Sequence, residues 1–466
     1  MTDLAHDKTD HRKVEMPETW QGELKALLWL GIPMALTQLA GFAIYTIDVM
    51  MIGRLSPEHL AAASVGVVIY FALYMLGVGP VMAVTPLVSQ ALGADQDDVY
   101  DVRISVRMAQ WAVVMMFPFL MLLIIFAEQI ATTFGQDPDL SKQAGNYVLA
   151  LAFGWPFAMA TLALRNFLAA IGKTRVPLVL AIITTVINAG LNFLLIFGLF
   201  GFPRLELVGA GIASSISAFI CYLMYVAYIY LDKDAARFDV FRNFWRPHWY
   251  RFREVIKLGW PISLSTVFEG MLFNSCVFMM GVIGVMQVAA YQIALNVAAL
   301  AFMLPWGLSM AGAVRVGLAK GAGNKAAIKR AGLVTIFAAI VGIMLFAIPI
   351  ALSPNMVASL YLDISDAKNA EVIALVALFL PVAAAFMLFD AIQVAANQLL
   401  RGLSDVNWAM VLAGISFWGV GFPVAFYLGL KTEVGAIGIW YGLLASLFSA
   451  SVLLGTRFWY LVWRKR

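Results

Sequence analysis

Charged residues are scarce in this sequence of 466 residues. Asp, Glu, Lys and Arg make up 12% of it and apolar residues 62%, whereas an ordinary soluble domain is about one-quarter charged. So few charged groups cannot cover the surface of a water-soluble globule of this size, which excludes that class. The apolar residues instead fall in repeated blocks of roughly twenty, the length that a helix needs to cross ~30 Å of hydrocarbon. The sequence therefore predicts a polytopic helical membrane protein.

Residue types that carry catalytic or metal chemistry are also missing from the apolar blocks. The two cysteines, Cys221 and Cys276, both lie in apolar segments and indicate no disulfide framework. All four histidines lie in the polar N-terminal segment or in loops, which leaves an intramembrane metal enzyme without ligands. No glycine-rich loop ends in Gly-Lys-Ser/Thr, so ATP hydrolysis is not the predicted energy source. We expect neither an enzyme nor a cofactor.

Hydropathy blocks separated by Gly, Pro and charged turns predict twelve spans. An even number of crossings places both termini on one side of the membrane. The first 25 residues lack the short apolar core of a cleavable signal. The predicted limits of the spans are 26–52, 60–84, 104–127, 143–171, 176–200, 207–231, 254–281, 286–314, 330–352, 371–400, 407–430 and 434–462.

The distribution of basic residues predicts the orientation. With the N-terminus inside, the inner segments hold 26 Lys and Arg and the outer segments hold five, and such an excess marks the cytoplasmic side. We therefore expect both termini to be cytoplasmic, residues 1–25 to form a tail, and the protein to lie in the inner (plasma) membrane. The net charge of +4 is spread over loops and gives no nucleic-acid-binding surface.

The two halves of the chain, 26–231 and 254–466, resemble each other and are joined by the polar stretch 232–253. Residues 30–93 align without gaps with residues 258–321, with 17 identities in 64 positions. Six spans per half give both halves the same topology. The predicted fold class is therefore all-α, with twelve transmembrane helices in two six-helix lobes related by a pseudo-two-fold axis along the membrane normal. Parallel repeats of this kind suit alternating access to a site in or between the lobes.

Three acidic residues remain inside predicted helices 1, 7 and 10 once the loops are assigned: Asp48, Glu269 and Asp390. Each costs on the order of 2.5–3.5 kcal/mol, so the three together rival the net stability of a typical domain. Desolvation favours the neutral form of an unpaired carboxyl group, which suits it to load and release a proton or to bind a metal cation. Four basic residues sit toward helix ends, where they can reach the membrane surface: Arg54, Arg165, Arg315 and Arg401.

The acids do not follow the repeat. Asp48 aligns with Cys276 and Glu269 with Gly41, so we expect one site in the N-terminal lobe and a different one in the C-terminal lobe. Amides are candidate partners, although each of them has the alternative role of holding two helices together. Asn188 and Asn192 are four residues apart on predicted helix 5 and are assigned to Asp48. The candidates near the other two acids are Asn274, Gln292, Asn296, Gln393 and Asn397.

These residues give the sequence a resemblance to the multidrug and toxic compound extrusion (MATE) family, specifically to its NorM-like branch, over essentially the whole chain. The marks are paired LGxP starts of helices 1 and 7, Asp48 in TIDVMMIGRL, Glu269 in VFEGMLF and Asp390 in FDAIQVAANQLLRG. Gln292 and Asn296 in YQIALN and the later RVGLAKG complete the set.

The resemblance implies two six-helix lobes around a cleft and export of cationic, amphiphilic compounds against inward flow of protons or sodium. In that family the matching acids are the coupling and drug-binding groups, and Glu269 and Asp390 would ligate the metal only if the ion is sodium. Some relatives carry a Tyr four residues before the helix 10 acid as part of a sodium site, and this chain has Phe386 there. That difference favours protons slightly. We expect a monomer in the lipid bilayer.

Three other functions compete with a drug antiporter. A flippase for lipid-linked or amphiphilic metabolites, in the same superfamily, needs Lys or Arg in its cavity to hold phosphate, and here the deep charges are acidic. A membrane enzyme needs a nucleophile and base or metal ligands at depth. A channel is compatible with the composition, and stoichiometric exchange rather than passive conductance would distinguish the antiporter from it.

Overall fold

The computed structural model describes residues 16–133, 135–362 and 367–463, and twelve membrane spans account for most of that part of the chain. One of the twelve is a pair of helices bent by 45°. This confirms the predicted fold class. We number the spans helix 1 to helix 12: Trp20–Gly53, Pro57–Ala94, Val99–Ile125, Pro138–Ala152 with Trp155–Ala170, Arg175–Phe197, Glu206–Leu231, Trp249–Ile283, Val285–Gly321, Lys325–Leu352, Ala370–Gly402, Val406–Leu430 and Ala436–Trp463.

Shorter elements lie outside the spans. They are Ala127–Thr133, Lys233–Ala236, Pro354–Ser359 and the 3-10 turn Ala367–Asn369. One expectation falls partly outside the described residues: the first 15 residues of the predicted tail, with His6 and His11. We call the side of the membrane on which helix 1 begins the terminal side, and the other the opposite side.

Several helices begin earlier than their hydropathy predicts because polar side chains cap them, and helices 1 and 7 are examples. Helix 1 begins at Trp20 rather than 26, since the Thr19 hydroxyl accepts a hydrogen bond from the backbone N–H of Gly22 at 3.1 Å. Helix 7 begins at Trp249 rather than 254, with His248 accepting from the N–H of Arg251 at 3.2 Å. Both extensions are polar turns, which a hydropathy threshold counts as loop.

The segment between the lobes is hydrogen-bonded to side chains of helix 3. The Arg107 guanidinium donates to the backbone carbonyls of Arg242 and Asn243, each at 3.1 Å. One turn further along helix 3, the Trp111 indole donates to the carbonyl of Phe244 at 2.7 Å. The connection therefore has a defined path on the terminal side, although the sequence predicts it only as a polar linker.

The apolar core of the N-terminal lobe continues into helices 7 and 8, and the contacts between the lobes include two matched interfaces. A methyl group built on Gly307 of helix 8 would lie 2.3 Å from the backbone nitrogen of Ala35 of helix 1. A methyl group on Gly79 of helix 2 would lie 2.5 Å from the hydroxyl of Ser263 of helix 7. Gly79 and Gly307, like Ala35 and Ser263, are separated by the 228 residues of the repeat. The helix 1/8 and helix 2/7 interfaces are thus pseudo-symmetric, and both need a glycine because backbones touch there.

Burial along the helices shows on which side the lobes are closed. Every residue of helix 8 from Gly307 to Ala319 is buried, as is every residue of helix 10 from Gln393 to Leu400. Both segments are terminal-side halves. In the opposite half of helix 8 only one stripe is buried, with members such as Ala290, Ala294 and Ala298. The lobes are therefore packed together on the terminal side and diverge toward the opposite side, which leaves a cleft.

Candidate functional site

Asp48 of helix 1 is the centre of a closed hydrogen-bond network in the N-terminal lobe. Asn192 of helix 5 donates from its amide to Asp48 Oδ1 at 2.5 Å, and Ser214 of helix 6 donates to Asp48 Oδ2 at 3.3 Å. Asn188 joins the two donors, because it accepts from Asn192 at 3.2 Å and donates to Ser214 at 3.4 Å. Both asparagines are buried and Asp48 is half-buried.

Helix geometry explains how these side chains meet. Asn188 and Asn192 are four residues apart, so they lie on one face of helix 5, and that helix packs against both helix 1 and helix 6. The sequence does not single out Ser214. A lone serine in an apolar helix gives no signal of its own, since it most often bonds to its own backbone.

The acids of the C-terminal lobe lie in a different environment. Asp390 is 7% exposed and Glu269 is half-buried, and the two interact electrostatically. Three acceptor oxygens on one face of helix 10 are buried without a hydrogen-bond donor among the described residues: Asp390 Oδ1, Gln393 Oε1 and Asn397 Oδ1. Their spacing of three and four residues aligns them along the helix. A buried carboxyl oxygen without a donor is costly, so this site favours a proton or a cation.

The other predicted amides lie apart from these acids. Asn274 is exposed and donates to the backbone carbonyl of Gly270 at 2.8 Å, and Asn296 is exposed and accepts from the Tyr361 hydroxyl at 2.9 Å. Gln292 is exposed one turn before Asn296 on helix 8. Because polar side chains are costly against lipid, we expect these exposed amides to face the cleft.

Two basic residues near helix ends are covered by protein to a degree that the sequence does not predict. Helix 1 of the other lobe covers the side chain of Arg315 of helix 8. Its guanidinium binds Glu23 through two hydrogen bonds of 2.8 and 2.7 Å, and the two side chains are 3% and 2% exposed. Arg401 of helix 10 is half-buried and lies within electrostatic range of Glu269. The expectation that both sit toward helix ends agrees with their positions, but the expectation that Arg315 reaches the membrane surface is wrong because its side chain is buried.

A further element near Glu269 has no sequence signal beyond a cluster of glycines. Residues Ile415–Gly421 of helix 11 form a π-helix, a distortion that is often found at functional sites. Trp418 in this segment donates its indole N–H to the carbonyl of Phe268 at 3.2 Å. The residue before Glu269 is thus held by the neighbouring helix.

Among the described residues, no three His, Cys, Asp or Glu side chains are grouped to hold a metal ion. Two matched lobes with a cleft between them are typical of a transporter built from a repeated six-helix unit.

Comparisons with known proteins identify its family. The MatE family model matches residues 33–194 and 261–427, one stretch in each lobe. The chain is 38% identical over 451 residues to the probable multidrug resistance protein NorM of Rhizobium meliloti, covering 96% of this chain and 95% of the relative. It is 34% identical to the multidrug resistance protein NorM of Burkholderia vietnamiensis, over 92% of each chain. The chain belongs to the MatE family and is a transporter rather than an enzyme.

Solved structures agree on the fold. The eukaryotic MATE transporter AtDTX14 superposes with a TM-score of 0.85 at 19% identity, over 96% of this chain and 97% of that one. A multidrug resistance MATE family transporter in an outward-facing conformation gives a TM-score of 0.86 at 17% identity, over 97% and 99% of the two chains.

Proposed function

We propose that this protein exports cationic, amphiphilic compounds in exchange for protons or sodium ions that flow inward, by alternating access. The observation that carries the proposal is the position of Asp48, Glu269 and Asp390 on both lobes of a cleft that is closed on one side of the membrane. Acids inside a membrane are costly and are kept where they bind charge. The names of the relatives, which are multidrug resistance proteins, support the same reading.

The terminal side is the cytoplasmic side in this proposal, because it holds 26 of the 31 Lys and Arg residues of the chain. The protein then lies in the inner membrane as a monomer, with both termini in the cytoplasm, and the cleft opens outward. Residues 26–231 and 254–466 move as two lobes joined by 232–253.

The C-terminal lobe contains the site that binds the proton or the cation in this proposal. A proton that binds Asp390 or Glu269 neutralises the carboxylate. The cationic compound then loses its charged partner and leaves the cleft. A cation also binds the acceptor oxygens of Asp390, Gln393 and Asn397, which have no donor among the described residues. Phe386, one turn before Asp390, is buried against the rings of Phe273 and Trp440 and supplies no side-chain oxygen. The missing oxygen favours protons over sodium, and no resident cofactor is required.

In the N-terminal lobe the environment of the acid consists of hydrogen-bond donors as well as apolar surroundings. Asn192 and Ser214 both donate to Asp48, which stabilises its ionised form. When a proton binds Asp48 these donors lose their charged acceptor, so the contacts between helices 1, 5 and 6 rearrange. We propose that this rearrangement couples protonation to movement of helix 1.

Ethidium efflux from proteoliposomes under separately imposed proton and sodium gradients tests this function. We expect efflux to follow the proton gradient, since a proton crossing 100 mV gains ~2.3 kcal/mol from the potential alone. Liposomes without protein and a dissipating ionophore are the controls. Efflux that responds to neither gradient would reject ion coupling.

A further inference from the structure

The guanidinium of Arg165, in the second half of helix 4, has no acidic partner among the described residues. Its Nε atom is buried without a hydrogen-bond acceptor, and none of the ion pairs in the described part of the chain includes it. The groups within electrostatic range of it include the phenols of Tyr74 and Tyr225 and the thiol of Cys221, which are not carboxylates. A partly buried cation without a counter-charge is costly, so this position favours an anion from solution.

Other bases that the protein covers have an acid nearby. Arg315 binds the carboxylate of Glu23 across the helix 1/8 interface. Arg401 of helix 10 lies within electrostatic range of Glu269. The protein therefore supplies an acid where it covers these two guanidinium groups, and the surroundings of Arg165 need a different explanation.

The Arg165 side chain lines a small cavity between helices 1, 4, 5 and 8. The polar part of its wall consists of Thr37, Gln38, Arg165 and Thr174, and the apolar part of Met34, Ala169, Pro177 and Met310. No carboxylate belongs to this wall. The cavity has a volume of about 10 Å³, close to the smallest space that holds one particle of the size of water. Its size thus suits a monatomic ion and is too small for an organic anion.

Two more groups in the wall can donate a hydrogen bond to such an ion. Thr174 is 2% exposed, and its hydroxyl has no partner among the described residues, nor has the amide of Gln38. Thr174 is also the N-cap of helix 5 and makes no side-chain capping bond, so the first N–H groups of that helix stay available. The N-terminal end of a helix attracts an anion through these groups and its dipole.

We propose that this cavity is a binding site for a monatomic anion, which is chloride in cells, held by Arg165, Thr174 and the N-terminal end of helix 5. The ion supplies the missing counter-charge and joins helix 4 to helix 5. Met310 of the C-terminal lobe closes the cavity, whereas the other lining residues belong to the N-terminal lobe. The anion is therefore enclosed while the terminal side is closed. This site goes beyond the proposed function, since no step of the cation exchange uses it.

Thermal unfolding of the purified protein tests the site, because a ligand that binds only the folded state raises its stability. The protein is titrated with sodium chloride or sodium bromide at constant ionic strength, and sodium gluconate is the balancing salt because gluconate is too large for the cavity. Sodium is thus the same throughout. We expect the unfolding midpoint to rise with chloride and with bromide, and the titration gives an apparent Kd.

Substitutions in the wall of the cavity should weaken this binding. Arg165→Gln should raise the apparent Kd for chloride at least tenfold, because it removes the positive charge. Thr174→Val keeps the shape of the side chain and removes the hydroxyl, so we expect a smaller rise of about threefold. Lys257→Gln, which removes an exposed base from helix 7, is the matched control and should titrate like the unaltered protein.

Equal midpoints in chloride and gluconate for the unaltered protein would overturn the proposal, as would a chloride response that both cavity variants retain in full. If Arg165→Gln does not fold, Thr174→Val and the anomalous scattering of bromide in crystals of the unaltered protein decide the question. Bromide beside Arg165 would support the site, and bromide bound only elsewhere would contradict it. These readouts need no transported compound and no ion gradient, so a failure of ethidium efflux would leave the inference standing.

Discussion

The two lobes resemble each other in sequence, but the surroundings of their acids differ. In the N-terminal lobe both oxygens of Asp48 accept hydrogen bonds from side chains on helices 5 and 6. In the C-terminal lobe Asp390 Oδ1 accepts none from the described residues, and Glu269 lies nearby with Arg401 in electrostatic range. The first acid thus has side-chain donors that the second lacks. In the function proposed above, the first site couples protonation to movement and the second exchanges cations.

Substitution of the acids themselves should have the largest effect on efflux, and it tests the difference between the two lobes most directly. We expect Glu269→Gln and Asp390→Asn to lower ethidium efflux at least 100-fold, because a neutral amide cannot take up a proton. Asp48→Asn should also abolish coupled efflux. The measurement is efflux rate in proteoliposomes at matched protein content. Glu371→Gln, at the exposed start of the same helix 10, should behave like the unaltered protein, and full efflux by all three acid variants would contradict this account.

Removal of a donor from the N-terminal network should have a smaller effect. Asn192→Leu leaves Asp48 Oδ1 without its shortest hydrogen bond, and a bond to a charged group contributes about 1.5–3 kcal/mol. We therefore expect kcat/KM for efflux to fall about tenfold or more, with little change in ethidium binding. Thr185→Val on the same helix, whose hydroxyl bonds only to the carbonyl of Ala181, is the matched control. An Asn192→Leu variant with normal efflux would show that Asp48 does not need the donor from Asn192.

The sequence predicts the architecture well because the membrane imposes simple rules. Apolar length locates the twelve spans, and the gap-free repeat predicts the two lobes. The acids stand out because charge is rare at that depth. The sequence predicts a contact between Asn192 and Asp48 because the two asparagines on helix 5 share one face of that helix.

Contacts between distant helices are what the sequence does not predict. Glu23 belongs to a polar segment and Arg315 to a helix end, and nothing in either position indicates that the two lobes bury them against each other. The sequence likewise does not indicate the role of Ser214, since that role depends on the packing of helix 6 against helices 1 and 5. The π-helix at Ile415–Gly421 arises from local hydrogen bonding that hydropathy does not detect.

The central claim is that a coupling ion and a cationic compound compete for the acids of the C-terminal lobe. Its most direct test is ethidium binding to the purified protein, measured by fluorescence anisotropy across pH, without and with sodium. We predict that binding weakens as pH falls in the unaltered protein, because protons neutralise the carboxylates that hold the cation. In the Glu269→Gln/Asp390→Asn double variant binding should be weak and independent of pH. An equal pH dependence in both proteins would contradict the claim.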